Sequence, residues 1–159
     1  MKKGLLFLSG MAIVATAILF SFNTSAPKYE YQMFTTIESI IPMGVGRSRI
    51  IMSQEQVNPA VFATMRTDGK SSGQGKVKRD DLRIEKFEET KLLNFYSAVG
   101  INFQNIASND AIISAKLTQM NADGWELVNV ASGVESDAGK EDGQGIFITR
   151  YTFKRLVTE

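Results

Sequence analysis

Three charged side chains near one predicted turn are the residues of this chain that could do chemistry. Glu38 lies near the end of a predicted strand, and Arg47 and Arg49 follow a turn rich in glycine and proline at residues 42–46. If they lie on facing strands, the two guanidinium groups could bind a carboxylate or phosphate beside Glu38. The alternative, which we favour, is a set of cross-strand ion pairs on a solvated face, each worth roughly a few tenths of a kcal/mol.

The chain lacks two residue types on which much enzyme chemistry depends. Its 159 residues include no histidine and no cysteine. This excludes a Ser-His-Asp triad, an imidazole acid or base, a His- or Cys-ligated metal and any disulfide. An acidic group at positions 135, 137, 141 and 142 does not have the alternating spacing of a calcium loop. We therefore predict no catalytic residue, no metal and no cofactor, and we favour a non-catalytic protein over an enzyme.

The size and charge of the chain limit its domains and partners. After the N-terminal segment is set aside, the length leaves room for one domain with a hydrophobic core. Lys and Arg number 18 and Asp and Glu 17, so the net charge is +1. A protein that binds along nucleic-acid backbones needs a strongly basic surface, so we predict no nucleic-acid partner.

The N-terminal segment has the pattern of an export signal. Two lysines at positions 2 and 3 precede an uncharged apolar run over residues 4–22, which is about long enough to cross a bilayer. Residues 24–26, Thr-Ser-Ala, suit a signal peptidase, but Pro27 would follow the cut. Residues 1–26 are therefore either a cleaved signal peptide or a retained single-pass membrane anchor. In both cases we expect residues 27–159 to form a single domain outside the cytoplasm, in the periplasm or tethered to the inner membrane.

The alternation of side chains predicts two β-hairpins. Strands are predicted over residues 28–40 with 47–52, and over 125–132 with 146–155. Helical spacing behind the capping side chains of residues 108–110 predicts the main helix over about 109–122. We also predict a second helix over about 83–97, an extended segment over 100–106 and a flexible insertion over about 57–80. The predicted fold is α+β, with a four-stranded antiparallel sheet and the main helix packed on one face.

The corner between the main helix and the next strand carries the clearest local signal. Gly124 can adopt the left-handed conformation that ends a helix, and the only tryptophan, Trp125, follows it. Trp125 and Glu126 could face a ligand, but an aromatic at such a corner is more often a core anchor. The strand that follows has apolar residues on both faces, so we predict that it is central in the sheet.

A group of large apolar residues precedes the main helix. Phe95, Tyr96 and Phe103 are too bulky, together with the isoleucines at 101 and 106, for an ordinary loop. They either cover the open face of the sheet or form a docking surface for another protein of the envelope or for a second copy.

Several short motifs resemble one bacterial family. They are Tyr29-Glu30-Tyr31 in the first strand, Gly124-Trp125-Glu126-Leu127-Val128 at the corner, and Tyr151-Thr152-Phe153-Lys154-Arg155 in the closing strand. In this order, with a helix before the corner, they resemble the domain of unknown function 4177 family over the first strand and residues 109–155. Residues 35–40 and 44–49 are similar to a pattern of exported Bacteroidetes-type proteins. The resemblance implies a fold and a location, and no activity.

These observations predict an envelope-located binding or assembly module without catalytic function. The partner would be an unknown envelope protein or a second copy, and the membrane would be contacted through the N-terminal segment if that segment is not cleaved. The alternative is a small-anion or ligand-binding protein, or a hydrolase, that uses Glu38, Arg47 and Arg49.

Overall fold

A computed structural model describes residues 27–41, 47–135 and 145–157 of the chain. The predicted leader, the turn at residues 42–46 and most of the acidic loop lie outside these residues. The described strands and helix are β1 (Tyr29–Ser39), β2 (Arg49–Ser53), β3 (Phe87–Lys91), β4 (Tyr96–Ser97), β5 (Gly100–Ile101), α1 (Phe103–Ala122), β6 (Glu126–Glu135) and β7 (Ile146–Leu156). Short 3-10 helices at Pro59–Val61, Gln74–Lys76 and Asp80–Leu82 lie between β2 and β3. No helix among these residues is long and apolar enough to span a membrane.

The chain divides into two compact units. The larger unit is residues 31–155, and the smaller one includes residues 27–30 and 156–157. In the smaller unit the Val157 N–H donates a hydrogen bond to the Lys28 carbonyl, at 2.9 Å.

The main sheet has five strands in the order β3-β2-β1-β7-β6. The β1–β2, β2–β3 and β6–β7 pairs are antiparallel. The end of β1 lies beside the start of β7, where the Ile40 N–H donates to the Gly145 carbonyl at 3.1 Å. The α+β class, the antiparallel sheet and both hairpins are therefore confirmed. The predicted number of four strands is wrong, because β3 is a fifth strand and β4 and β5 form a separate two-stranded sheet.

The second predicted helix, over residues 83–97, is wrong for the same reason. The Phe-Glu-Glu-Thr-Lys sequence of β3 has residues with good helix propensity, and it lacks the apolar alternation that marks a half-buried strand. It is extended because it pairs with all five residues of β2, from Arg49 opposite Lys91 to Ser53 opposite Phe87. Pairing with a neighbouring strand overrides a weak local preference.

The main helix begins earlier than predicted. α1 starts at Phe103, and the Asn102 side chain caps it by accepting a hydrogen bond from the Asn105 N–H at 3.1 Å. The extended segment predicted over 100–106 is therefore limited to β5. Asn109, predicted at the start of the helix, lies well inside it and is fully buried.

The hydrophobic core lies between α1 and one side of the sheet, which we call the helix face. Buried core residues are contributed by β1, β2, β7, α1 and the segment after β3: Phe34, Ile50, Leu92, Ile113, Met120 and Phe153. The Phe34 ring stacks on Tyr151 with 4.5 Å between centroids and lies 5.4 Å from Phe153. Because side chains alternate along a strand, the odd-numbered residues of β1 point to the opposite side, the outer face.

The helix-to-strand corner has the hydrogen bonds of a Schellman motif. The Trp125 N–H donates to the Met120 carbonyl at 2.9 Å, and the Gly124 N–H donates to the Asn121 carbonyl at 3.0 Å. Gly124 has a φ of 83°, which a side chain at this position would oppose. Trp125 packs against the core, and the Arg155 guanidinium lies 4.3 Å from the centre of its ring. The helix therefore ends where the glycine predicted.

The strand after the corner is not central in the sheet. β6 lies at the end of the strand order, so it is an edge strand. A β-bulge between Leu127 and Asn129 shifts its register against β7. Leu127 and Val130 consequently lie on the same face, and the apolar residues that suggested a central strand are exposed.

We expect Trp125→Ala to lower the free energy of unfolding by about 2–3 kcal/mol. Truncating a fully buried aromatic residue to alanine lowers the free energy of unfolding by about 3–5 kcal/mol. The effect should be smaller here because the ring of Trp125 is only half-buried. Urea denaturation measures the change. Phe103→Ala is the control, since its ring is 76% exposed and should have little effect. An unchanged midpoint for Trp125→Ala would contradict the packing role.

Candidate functional site

The structure separates the glutamate and the arginine that were predicted to form a site. Glu38 lies on the helix face, whereas Arg49 pairs with Ile37 and so lies on the outer face. Arg47 is half-buried in the segment before β2. Glu38 and Arg49 therefore do not converge, and each has a different set of neighbours.

Glu38 belongs to a buried cluster centred on Asn109. The Asn109 Nδ2 group donates to Glu38 Oε1 at 2.9 Å and to the Leu93 carbonyl at 2.7 Å, and Asn109 Oδ1 accepts from the Leu93 N–H at 2.8 Å. Asn109 is completely buried and Glu38 is 8% exposed. One side chain of α1 thus joins the helix to β1 and to the segment after β3.

The electrostatics of this cluster follow mainly from burial. Burial raises the pKa of Glu38, the hydrogen bond from Asn109 opposes the rise, and repulsion from Asp110 adds to it. Burial also raises the pKa of Tyr151, to which the charges of Glu38 and Asp110 contribute. Beside Glu38 on β1, the buried Thr36 hydroxyl has no hydrogen-bond partner in the described part of the chain. A carboxyl group with a raised pKa would suit acid–base chemistry. Glu38, however, lies beneath α1 and lines none of the three cavities described for residues 31–155, so a substrate has no described route to it.

Glu38→Gln is expected to stabilise the protein at neutral pH and to reduce its pH dependence. Glutamine keeps an oxygen that can accept from Asn109 and removes a desolvated charge. Because the folded pKa of Glu38 is raised above 4.5, its contribution to stability is fully present below the unfolded pKa and is lost as pH rises through the folded pKa. Above that pKa the variant should therefore melt at a higher temperature than the wild type.

Thermal melts from roughly pH 4 to pH 8 measure this effect, because that range includes both an ordinary and a raised carboxyl pKa. Glu126→Gln is the control, because Glu126 is exposed and pairs with Lys154 at 3.3 Å. If the melting temperatures of the wild type and of Glu38→Gln changed in parallel with pH, the raised pKa of Glu38 would be contradicted.

Arg49 lines a cleft on the outer face. The cleft has a volume of about 370 Å³ and is lined by Ser48, Arg49, Glu89 and Lys91. Arg49 Nη1 lies 2.6 Å from Glu89 Oε1, and Arg49 is directly opposite Lys91 on β3. The arginine therefore makes a cross-strand ion pair with Glu89 of β3 and not with Glu38, and a second cation, Lys91, lies beside it. An anion here would compete with the Glu89 carboxylate.

An apolar cavity lies beside this cleft on the same face. Its volume is about 380 Å³, and its lining residues are Met33, Thr35, Ile51, Ser53, Ile84 and Phe87. Tyr31 is 65%, Met33 50% and Phe87 49% exposed. The helix covers only the opposite side of the sheet, so these side chains form an exposed apolar surface. Sequence analysis missed it because β3, which contributes Phe87, was predicted to be helical.

The predicted docking surface is only partly exposed. Phe95 and Tyr96 are half-buried, and the Phe95 N–H donates to the Ser39 carbonyl at 3.4 Å. Phe103 is 76% exposed, and Ile101 in β5 is 50% exposed. No group of three or more acidic, Cys or His side chains among the described residues could hold a metal ion.

Comparison with known proteins identifies no relative of this chain. No family model, no curated protein and no solved structure gives a significant match to the chain. Its resemblance to the domain of unknown function 4177 family stays a prediction.

Proposed function

We propose that this chain is a non-catalytic binding or assembly module of a bacterial envelope, and that it binds its partner with the outer face of its sheet. The observation that carries the proposal is the exposure of Met33 and Phe87, which line a cavity of about 380 Å³, and of Tyr31 on the same face. Contiguous exposed apolar side chains on a folded domain mark sites of interaction. The envelope location is supported by the export pattern of residues 1–26.

The charges beside the cavity suggest the chemistry of the partner. Arg49 and Lys91 lie on the same face, two residues along their strands from Ile51 and Glu89. Two cations and one carboxylate leave this end of the surface net basic. A protein partner with an apolar segment flanked by acidic residues would complement it. A tether or export signal at the N-terminus would bring the module to that partner, and nucleic acid is not a proposed partner.

Site-specific photo-crosslinking in the native envelope tests this function. A photo-reactive amino acid in place of Met33 is expected to give one discrete crosslinked product. The same residue in place of Thr118, an exposed position on α1, is the control and should give none. A third position, Phe103, tests the docking surface predicted from the sequence.

The three positions give different answers. A product from Met33 alone supports the outer face. A product from Phe103 alone would move the binding surface to the β4–β5 hairpin and the start of α1. If all three positions gave only background labelling, the binding function itself would be overturned.

A second candidate function is the binding of a small anion in the Arg49 cleft. It is favoured by one observation, the direct opposition of two cations, Arg49 and Lys91, across β2 and β3. Calorimetric titration with inorganic phosphate and with acetate tests it. Because Glu89 competes for Arg49 at 2.6 Å, Glu89→Gln should strengthen binding and Arg49→Gln should abolish it. Equal, weak heats for all three proteins would exclude this candidate. Hydrolysis with Glu38 is not proposed, since that residue lies on the other face.

A further inference from the structure

The two edges of the main sheet differ in length and chemistry. β3 forms one edge with five residues, three of them charged, namely Glu88, Glu89 and Lys91. β6 forms the other edge with ten residues, and its central eight, Leu127 to Val134, have no charge and no proline. Proteins commonly protect sheet edges with short strands, charges or proline. β6 has a β-bulge near its start and a glutamate at each end, and its central eight residues carry none of these protections.

The regular part of β6 is the segment from Asn129 to Glu135. No described strand pairs with its outer edge. Val130 and Val134 are 49% and 61% exposed, and both lie on the helix face because they pair with Tyr151 and Phe147 of β7. This edge therefore combines unpaired backbone groups with exposed valines.

We infer that β6 pairs with β6 of a second copy of this chain, in antiparallel register centred on Ser132, so that the two five-stranded sheets form one continuous sheet. In this register Ser132 lies opposite Ser132 of the second copy. Val130 lies opposite Val134 of the second copy, and the two-fold axis repeats the pair. β-branched residues directly opposite one another are favourable cross-strand neighbours.

The polar residues of the strand also match in this register. Asn129 lies opposite Glu135 of the second copy, on the outer face, and an amide can donate to a carboxylate there. The register centred one and a half residues away, between Val130 and Ala131, would instead set Glu126 opposite Glu135, which is a like-charge pair. The Ser132-centred register avoids this like-charge pair and sets the amide of Asn129 opposite the Glu135 carboxylate.

The size of the contact predicts a weak dimer. A ladder of seven residues on each side buries less than the roughly 1,600 Å² of a standard protein interface. We expect a dissociation constant on the order of 100 μM, which is much weaker than that of a permanent dimer. The surface is separate from the outer face, so the inference is independent of the proposed binding function.

A single cysteine tests both the pairing and its register, since the native chain has none. Ser132→Cys sets two thiols opposite each other, with Cα atoms about 4.5–5.5 Å apart, within the range of a disulfide. The test is mild oxidation of Ser132→Cys at 100 μM, on the order of the expected dissociation constant. Val99→Cys is the control, because Val99 is 98% exposed and distant in sequence from β6. Ser132→Cys should form a covalent dimer at least about tenfold faster than Val99→Cys. Ala131→Cys is the register control, because residue 131 faces residue 133 of the second copy and should react slowly.

Sedimentation velocity of the unmodified chain gives an independent measurement. The wild type should show an average mass that rises with concentration, and Val130→Lys with Val134→Lys should remain monomeric. Met33→Lys, on the outer face, should still dimerise, which separates this inference from the proposed function. The inference would be overturned if the wild type stayed monomeric up to several hundred micromolar. Equal oxidation rates for Ser132→Cys and Val99→Cys would also overturn it.

Discussion

Asn109→Ala is expected to lower the free energy of unfolding by on the order of 3 kcal/mol, because it leaves several buried polar groups without partners. The amide bonds Glu38 Oε1 and both the N–H and the carbonyl of Leu93, at 2.7–2.9 Å. Alanine can replace none of these hydrogen bonds. The Glu38 carboxylate would stay beneath α1 with its burial unchanged and its donor lost.

Chemical denaturation of the wild type and the variant measures this loss. Asn121→Ala is the matched control, since Asn121 is an exposed asparagine of the same helix and its substitution should change stability by less than about 0.5 kcal/mol. The effect of Asn109→Ala should be smaller at a pH where Glu38 is protonated, because the buried group is then neutral. Equal stabilities for Asn109→Ala and Asn121→Ala would show that the buried amide does not hold the helix.

Phe34→Ala is expected to cost about 4 kcal/mol, within the range of about 3–5 kcal/mol for a buried phenylalanine. Phe34 is completely buried at the middle of β1, the central strand, and its ring contacts Tyr151 and Phe153 of β7. Truncation would leave a cavity where β1, β7 and α1 meet. Thermal and urea denaturation would report it as a lower midpoint.

Met33→Ala is the control for this prediction, since Met33 is adjacent in sequence and 50% exposed on the outer face. We expect it to cost less than about 1 kcal/mol. The pair therefore tests which face of β1 supports the fold. If Met33→Ala proved as damaging as Phe34→Ala, a further element would have to cover the outer face.

Local sequence signals predicted the elements that they specify directly. The alternation of residues 28–40 and 146–155 gave two strands close to β1 and β7, because a half-buried strand requires a period of two. Gly124 gave the end of α1, because the Schellman motif requires a left-handed residue there. The charged sequence of β3 carried no such signal, and its strand exists through pairing with β2.

The candidate site was less predictable than the fold. The proximity of Glu38 and Arg49 in sequence suggested a shared site, but the register of Ile37 opposite Arg49 sends their side chains to opposite faces. The polar run at residues 108–110 predicts that Asn109 lies at a helix N-terminus, because polar residues are typical there. Only the tertiary structure brings the Asn109 amide within hydrogen-bond distance of Glu38 and Leu93.

The sequence by itself determined the class of fold, the two hairpins, the glycine corner and the absence of histidine and cysteine chemistry. These depend on residue type and on spacing over a few positions. Only the tertiary structure decided that β6 is an edge, that the even-numbered residues of β1 face the helix, and that Met33, Ile51 and Phe87 share one exposed surface. Those features depend on strand order and register, which are set by contacts between residues far apart in the chain.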